Sequence, residues 1–275
     1  MLDSDVHYPK DLVGALDLLR KRPGAVVMAG GTDILREQGG RGLSLPAEVV
    51  CVHELPELRR AGLTERFLEI GAAVTLTEVL ELGESVVPPL LAEAVGLVAT
   101  PAIRNLATIG GNIACRSRFM DAWPALACLD AIIELRDAGG STWINVNRLA
   151  GEDRRPAFPE GGLLTRIRVP LERWDALALK KVGPRDYPSP DTAVFAFVAK
   201  VEKGILSELR LAFAGEMAFR SAATESRMIG RTVPLSERER ADASEAFRAE
   251  AAFLPEAQAL RFGVLVDGAL ELLGR

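Results

Sequence analysis

Two glycine pairs, in Ala29-Gly30-Gly31-Thr32-Asp33-Ile34 and Thr108-Ile109-Gly110-Gly111-Asn112, constrain this chain more than any other feature. The first follows Val26–Met28, which reads as a buried strand, and a strand ending in paired glycines lets another group approach its backbone. Neither segment has the G-x-G-x-x-G or G-x-x-x-x-G-K-[ST] spacing of the common nucleotide loops. Taken alone, the first is a strand-to-loop turn with Asp33 as a helix N-cap. The competing reading is a nest, in which successive N–H groups meet an anionic oxygen and Thr32 adds a hydroxyl donor. The second segment repeats that chemistry, which favours two loops gripping one extended polyanion such as a pyrophosphate. Neither loop holds a lysine or histidine, so backbone dipoles would do the holding. That suits a tightly held cofactor better than a hydrolysable triphosphate.

The remaining side chains narrow the chemistry. A net charge of -5 speaks against a nucleic-acid or anionic-membrane surface. The expected N-terminus is no signal peptide, no run is long enough to span a bilayer, and the expected compartment is a reduced cytoplasm. Cys51, Cys115 and Cys128 stand too far apart for a disulfide framework and are too few for a four-thiolate cluster. Two histidines, His7 and His53, leave little for a zinc site or a triad. No catalytic side chain and no metal site is expected in this chain.

Periodicity divides the chain into a larger α+β part to about residue 172 and a smaller sheet-plus-helix part after it. Leu12, Ala15, Leu16 and Leu19 share a helical face that Pro23-Gly24 ends. A helix starting near Thr75 or Thr77, another from Pro88 and a third around Pro124–Leu129 follow. Beyond residue 172 lie antiparallel strands turning at Lys203-Gly204, then a helix with a capping box at Ser236 and Glu239, stopped by Pro255. The last helix, Ala257–Leu273, is expected to keep Leu260, Val264 and Leu270 inward. Asp121 reads either as the N-cap of the helix near Trp123 or as a carboxylate accepting from ribose or ribityl hydroxyls.

The ordered set "AGGTD", "IRNLATIGGNI" and Asp121 resembles the FAD-binding medium subunits of the molybdenum hydroxylases, which include carbon monoxide and xanthine dehydrogenases. The likeness spans nearly the whole chain, from "HYPKDLVGALDLL" through "IGAAVTLTEV", "LLTRIRVP" and "LKKVGPRDYPSPDTAV" to the Arg220…Glu225…Gly230 pattern. It implies an α+β fold: an FAD-binding domain of the vanillyl-alcohol-oxidase (PCMH) type over residues 1–172, with subdomains of about 1–55 and 56–172. A C-terminal domain over 173–275, like that of carbon monoxide dehydrogenase flavoproteins, would follow. By the same resemblance Ala29–Ile34 and Thr108–Asn112 hold the pyrophosphate of noncovalent FAD, and Asp121 its ribose or ribityl side. Leu164 would pack near the adenine or isoalloxazine, and Lys181 would sit close to the ring; the plain alternatives are a core strand leucine and a solvated lysine beside Lys180. The sequence departs from the family at Ala102, where glutamine is usual, and at Cys115, which reads as an inert small hydrophobe or as a thiol near the flavin.

The resemblance further implies an electron-transfer subunit, with molybdopterin in a large partner, two [2Fe-2S] clusters in a small one, and a dimer of heterotrimers. The loop Arg116–Met120, with Arg118 and Phe119 expected to be exposed, would border the cluster-bearing partner. A stand-alone FAD oxidase is the alternative, but His7, His53, Tyr8 and Tyr187 form no recognisable base arrangement. A nucleotide-sensing scaffold whose glycine segments are mere turns is a third.

Overall fold

In the computed structural model, residues 4–36, 45–157, 162–184 and 189–274 are described. They build three sheets in chain order. The first is parallel, β1-β3-β2, from β1 (Asp5–His7), β2 (Val26–Met28) and β3 (Glu48–Cys51). Helix α1 (Leu12–Lys21) closes it, burying Leu12, Ala15 and Leu19 against Val50 and Val52. Asp11 starts that helix by accepting from Gly14 N, and α2 (Thr32–Arg36) is a short turn straight after the first glycine pair.

The second sheet is antiparallel, in the order β4-β5-β8-β6-β7, from β4 (Ala61–Leu63), β5 (Phe67–Gly71), β6 (Ile132–Asp137), β7 (Gly140–Asn145) and β8 (Leu163–Pro170). Between β5 and β6 run the helices α3 (Leu76–Glu81), α4 (Pro89–Gly96), α5 (Pro101–Arg104), α6 (Ile109–Ile113) and α7 (Ala122–Cys128). Thr75 opens α3 with a reciprocal capping box to Glu78, which satisfies two otherwise orphaned donors.

The third sheet, β12-β11-β10-β9, contains β9 (Ala176–Val182), β10 (Ala193–Glu202), β11 (Ile205–Ala214) and β12 (Ala218–Arg220). Strand β10 is buried on both faces, and its alternation assigns each face a different neighbour. Ala193, Phe195, Phe197 and Ala199 pack towards the C-terminal helices, while Val194, Ala196 and Val198 join one core with Leu68, Trp123 and Ile167. Helices α8 (Ala222–Met228), α9 (Glu237–Glu250) and α10 (Glu256–Glu271) complete the chain, with the capping box at Ser236 and Glu239 in place.

Three expectations for this end need correction. Helix α9 ends at Glu250, well before Pro255, which instead opens α10 as its N-cap. Leu260 and Val264 face solvent, and α10 turns Ala259, Phe262, Gly263, Val266 and Leu270 inward. The reason is close helix packing: a Cβ on Gly263 would lie 2.9 Å from the Arg248 side chain of α9, and Ser244 Oγ donates to Gly263 O at 2.8 Å. Gly263 sets the line of approach to α9, and Phe262, Val266 and Leu270 beside it fill the core. Among the described residues no helix is long and apolar enough to cross a membrane.

Candidate functional site

The two glycine pairs meet across one cavity of about 600 Å³. Within each pair the glycines do different jobs. A Cβ on Gly30 would lie 1.8 Å from Leu106 O, and one on Gly110 would lie 2.6 Å from Ala72 O. These first glycines let protein backbone approach protein backbone. Gly31 has φ +69°, a left-handed conformation, and no contact closer than Met28 Sδ at 3.5 Å; Gly111 meets only Thr108 Oγ1, at 3.0 Å. Both second glycines line the cavity.

The two segments differ in how many of their amides are already hydrogen-bonded. The N–H groups of Gly31, Thr32 and Asp33 have no hydrogen-bond partner among the described residues, as expected for the open first turn of α2. The second segment is not a loop but the short helix α6, capped by Thr108, whose Oγ1 accepts from Gly111 N at 3.0 Å. Its other amides are also used: Ile109 N donates to Val74 O, Gly110 N to Ala72 O and Asn112 N to Thr108 O. What Thr108 has left for an anionic ligand is its hydroxyl hydrogen, its second lone pair being of use only to a donor.

Of the predicted contacts, Ala29, Gly30, Gly31, Thr32, Asp33, Ile34, Thr108, Gly110, Gly111, Asn112, Asp121, Leu164 and Lys181 line the cavity. Ile109 does not; it is fully buried in the main core. Asp33 is no N-cap: it sits inside α2, where it pairs with Arg36 at 2.7 Å and accepts from Cys115 Sγ at 3.3 Å. Cys115 lies on the cavity wall, and burial raises its thiol above the ordinary value, with the Asp33 charge pushing the same way. Its sulfur is a hydrogen-bond donor, not a thiolate.

Asp121 does not cap α7 either. Asn112 Oδ1 accepts from Ala122 N at 3.2 Å across a turn of chain, while the Asp121 side chain makes no capping bond. The Asp121 carboxylate is thereby left for Lys181, whose Nζ lies 2.9 Å away and also donates to Leu97 O at 3.3 Å. Both side chains are nearly buried, so Lys181 is not the solvated lysine of the plain alternative. Burial pushes the Asp121 carboxyl up from its ordinary value, against the pull of Lys181 and Arg118.

Arg118 and Phe119 are buried, which corrects their expected place on an exposed interface; in the loop Arg116–Met120 the exposed residues are Arg116 and Ser117. The Arg118 guanidinium donates to Ser189 O at 2.7 Å and to Thr192 O, tying the loop to the segment that leads into β10. Phe119 packs on Trp123 with ring centroids 4.8 Å apart. Among residues not expected in the wall are Arg22, Val98, Ala99, Ile103 and Thr192. Pro23-Gly24 beside Arg22 was legible only as a helix stop, and nothing in the sequence marks Ala99, whose φ is +40°. His7, His53 and Tyr8 lie outside the cavity wall, and Tyr187 lies outside the described residues. No group of three or more potential metal-ligating side chains occurs among the described residues.

Residues 2–172 match the family described as the FAD binding domain in molybdopterin dehydrogenase. The xanthine dehydrogenase FAD-binding subunit of Escherichia coli O157:H7 is 30% identical over 213 residues, 75% of this chain and 72% of its own. The nicotinate dehydrogenase FAD-subunit of Eubacterium barkeri is 32% identical over 183 residues, 64% of this chain and 60% of its own. A carbon monoxide dehydrogenase structure from Hydrogenophaga pseudoflava superposes with a TM-score of 0.85 at 25% identity, over 98% of this chain and 96% of that one. The mixed helix-and-sheet architecture, the paired glycines at one cavity and these likenesses converge: the chain belongs to the family of FAD-binding domains of molybdopterin dehydrogenases.

Proposed function

We propose that this chain is the FAD-carrying electron-transfer subunit of a molybdenum-containing hydroxylase or dehydrogenase. In this reading it receives electrons from [2Fe-2S] clusters in a small partner, serves a molybdopterin-bearing large partner, and delivers them to an external acceptor. The observation that carries the reading is the cavity itself. On one side it offers the amides of Gly31, Thr32 and Asp33, which have no partner among the described residues and suit diphosphate oxygens. On the other it holds the near-buried Asp121–Lys181 pair. Its size falls in the range of sites that enclose a cofactor.

FAD, when bound, supplies the electron acceptance and release; the chain binds and orients it. Gly31, Thr32 and Thr108 are assigned to the diphosphate, with the remaining cavity residues of Ala29–Ile34 and Gly110–Asn112 shaping that wall. Asp121 is assigned to hydroxyls of the ribityl or ribose side, and Leu164 to an apolar face of the ligand. Lys181 brings a positive charge to the wall, where it favours negative charge on a neighbouring ring edge. The FAD-binding unit is taken as residues 1–172, in halves of about 1–55 and 56–172, with 173–275 as a C-terminal unit. Its free thiols fit a reducing cytoplasm, and closed two-fold assembly favours a dimer of heterotrimers.

Acid extraction of the purified native assembly tests this reading, with flavin, iron and molybdenum assayed together. About one FAD per chain with both metals in co-purifying partners is expected. Flavin without metals would favour a stand-alone flavoenzyme. A colourless folded chain that cannot be reconstituted with FAD would defeat both.

A further inference from the structure

Helix α4 ends at three consecutive carbonyls that are all taken by cations. Leu97 O accepts from Lys181 Nζ at 3.3 Å. Val98 O and Ala99 O accept from the same Arg104 nitrogen, Nη1, at 2.7 and 3.1 Å. The negative end of a helix draws cations to this place, but the backbone here is not relaxed. Ala99 has φ +40°, a left-handed conformation that a residue with a Cβ adopts only when its surroundings enforce it. Val98, Ala99, Asp121 and Lys181 line the cavity, whereas Arg104 does not.

We propose that Arg104 is a positioning residue for the flavin site: its guanidinium holds the Val98–Ala99 turn in its left-handed form, and so fixes Leu97 O as the anchor of Lys181. The assignment of the cavity to FAD is the reading on which this rests. The physical chain has three links. A guanidinium hydrogen-bonded to two carbonyls makes charge-assisted contacts that outweigh the local backbone strain. Without it, Ala99 returns towards φ below zero and the peptide planes on either side rotate. Leu97 O then leaves Lys181 with one fewer acceptor in a poorly solvated site, and the ammonium no longer stays beside Asp121 in one place. Arg104 therefore acts on the ligand through the turn, without touching it.

The test uses the full-length chain in the assembly in which it purifies, with variants Arg104→Gln, Arg104→Lys, Ala99→Gly and the Ala99→Gly/Arg104→Gln double variant. Amide hydrogen exchange over residues 97–100 reads the turn directly and needs no flavin; Arg104→Gln should speed it by roughly tenfold or more. In flavin-loaded protein the same variant should shift the visible bands and lower the flavin midpoint potential while FAD remains bound. Glycine takes the left-handed conformation without strain, so Ala99→Gly in the Arg104→Gln background should recover much of the potential and the spectrum. Arg104→Lys, which keeps a cation within reach of a carbonyl, should fall between. A general fold-stabilising role for Arg104 would not be relieved at Ala99. Wild-type potential and exchange in Arg104→Gln would overturn the proposal, as would a loss that Ala99→Gly leaves untouched. If the wild-type chain carries no flavin, the function assigned above fails, and the exchange measurement alone decides the role of Arg104 in the turn.

Discussion

Replacing Gly30 and Gly31 by alanine, one at a time, should separate packing from binding at adjacent positions. At Gly30 the new Cβ would stand 1.8 Å from Leu106 O and 2.5 Å from its carbonyl carbon, against an ordinary contact of 3.4 Å or more. Relief requires a displacement of about 1.6 Å, and the obstacle is backbone that cannot swing aside. Leu106 N is bonded to Ile103 O, Ala107 N to Ile103 O, and Ala107 O to Leu76 N. Overpacking on this scale belongs at or above the top of the ~1–3 kcal/mol range seen for added methylenes in tight interiors. At Gly31 the Cβ meets only Met28 Sδ, at 3.5 Å. The penalty there comes from φ +69°, about 1–2 kcal/mol for an L-residue held left-handed. Urea unfolding of the flavin-free chain should therefore show the larger loss of midpoint in Gly30→Ala, at unchanged slope. Gly31→Ala should fold but bind FAD at least roughly tenfold more weakly, because its amide geometry and the cavity wall both change. A Gly30→Ala chain as stable as the parent, or a Gly31→Ala chain with full FAD affinity, would refute the division of labour within the pair.

Asn112→Ala should cost about 0.5–2 kcal/mol in denaturant unfolding even without flavin, since the Asn112 side chain is the cap that Ala122 N uses; an unchanged midpoint would return the capping role to Asp121. At Glu134, burial raises the carboxyl, but hydrogen bonds from Thr165 and Arg136 outweigh it and leave it below the ordinary 4.5. Its contribution is thus fully present above pH 4.5 and lost as pH falls through the lower folded value. The Glu134→Gln chain should lose less stability than the parent over that acid window, read as the urea midpoint against pH.

The elements that could be read from the sequence are those whose local chemistry and tertiary setting agree. Val26–Met28 forms the strand its apolar run suggests, although not the buried one expected, since Val26 is exposed and Val27 and Met28 are half-buried on the cavity wall; the Ser236–Glu239 box starts α9 where its hydroxyl and carboxylate predict. The cavity was legible from the two glycine pairs that share a flanking threonine, since each lets another group approach the backbone. What could not be read depends on contacts distant in sequence. Asn112 and Asp121 are both plausible caps for α7, and only their three-dimensional placement decides between them. Arg118 and Phe119 look like surface residues until Thr192 and Gly215 are brought to them. The inward face of α10 is set by how tightly Gly263 must approach α9, which a count of apolar residues does not contain.

The two-faced strand β10 has a consequence for how the molecule comes apart. The core that contains Leu68, Trp123 and Ile167 continues without interruption into Val194, Ala196 and Val198, and β9 sends Lys181, and the segment leading into β10 sends Thr192, to the cavity wall. A chain cut near residue 172 would lose part of its own interior along with one side of the cavity. Any ligand seated there bridges the two halves of the polypeptide like a rivet. Occupancy and docking of the C-terminal sheet are then thermodynamically linked: each tightens the other, by an amount that grows with the logarithm of free ligand over its dissociation constant. Unfolding of the loaded protein should accordingly proceed as one event, with the C-terminal sheet leaving only when the ligand does.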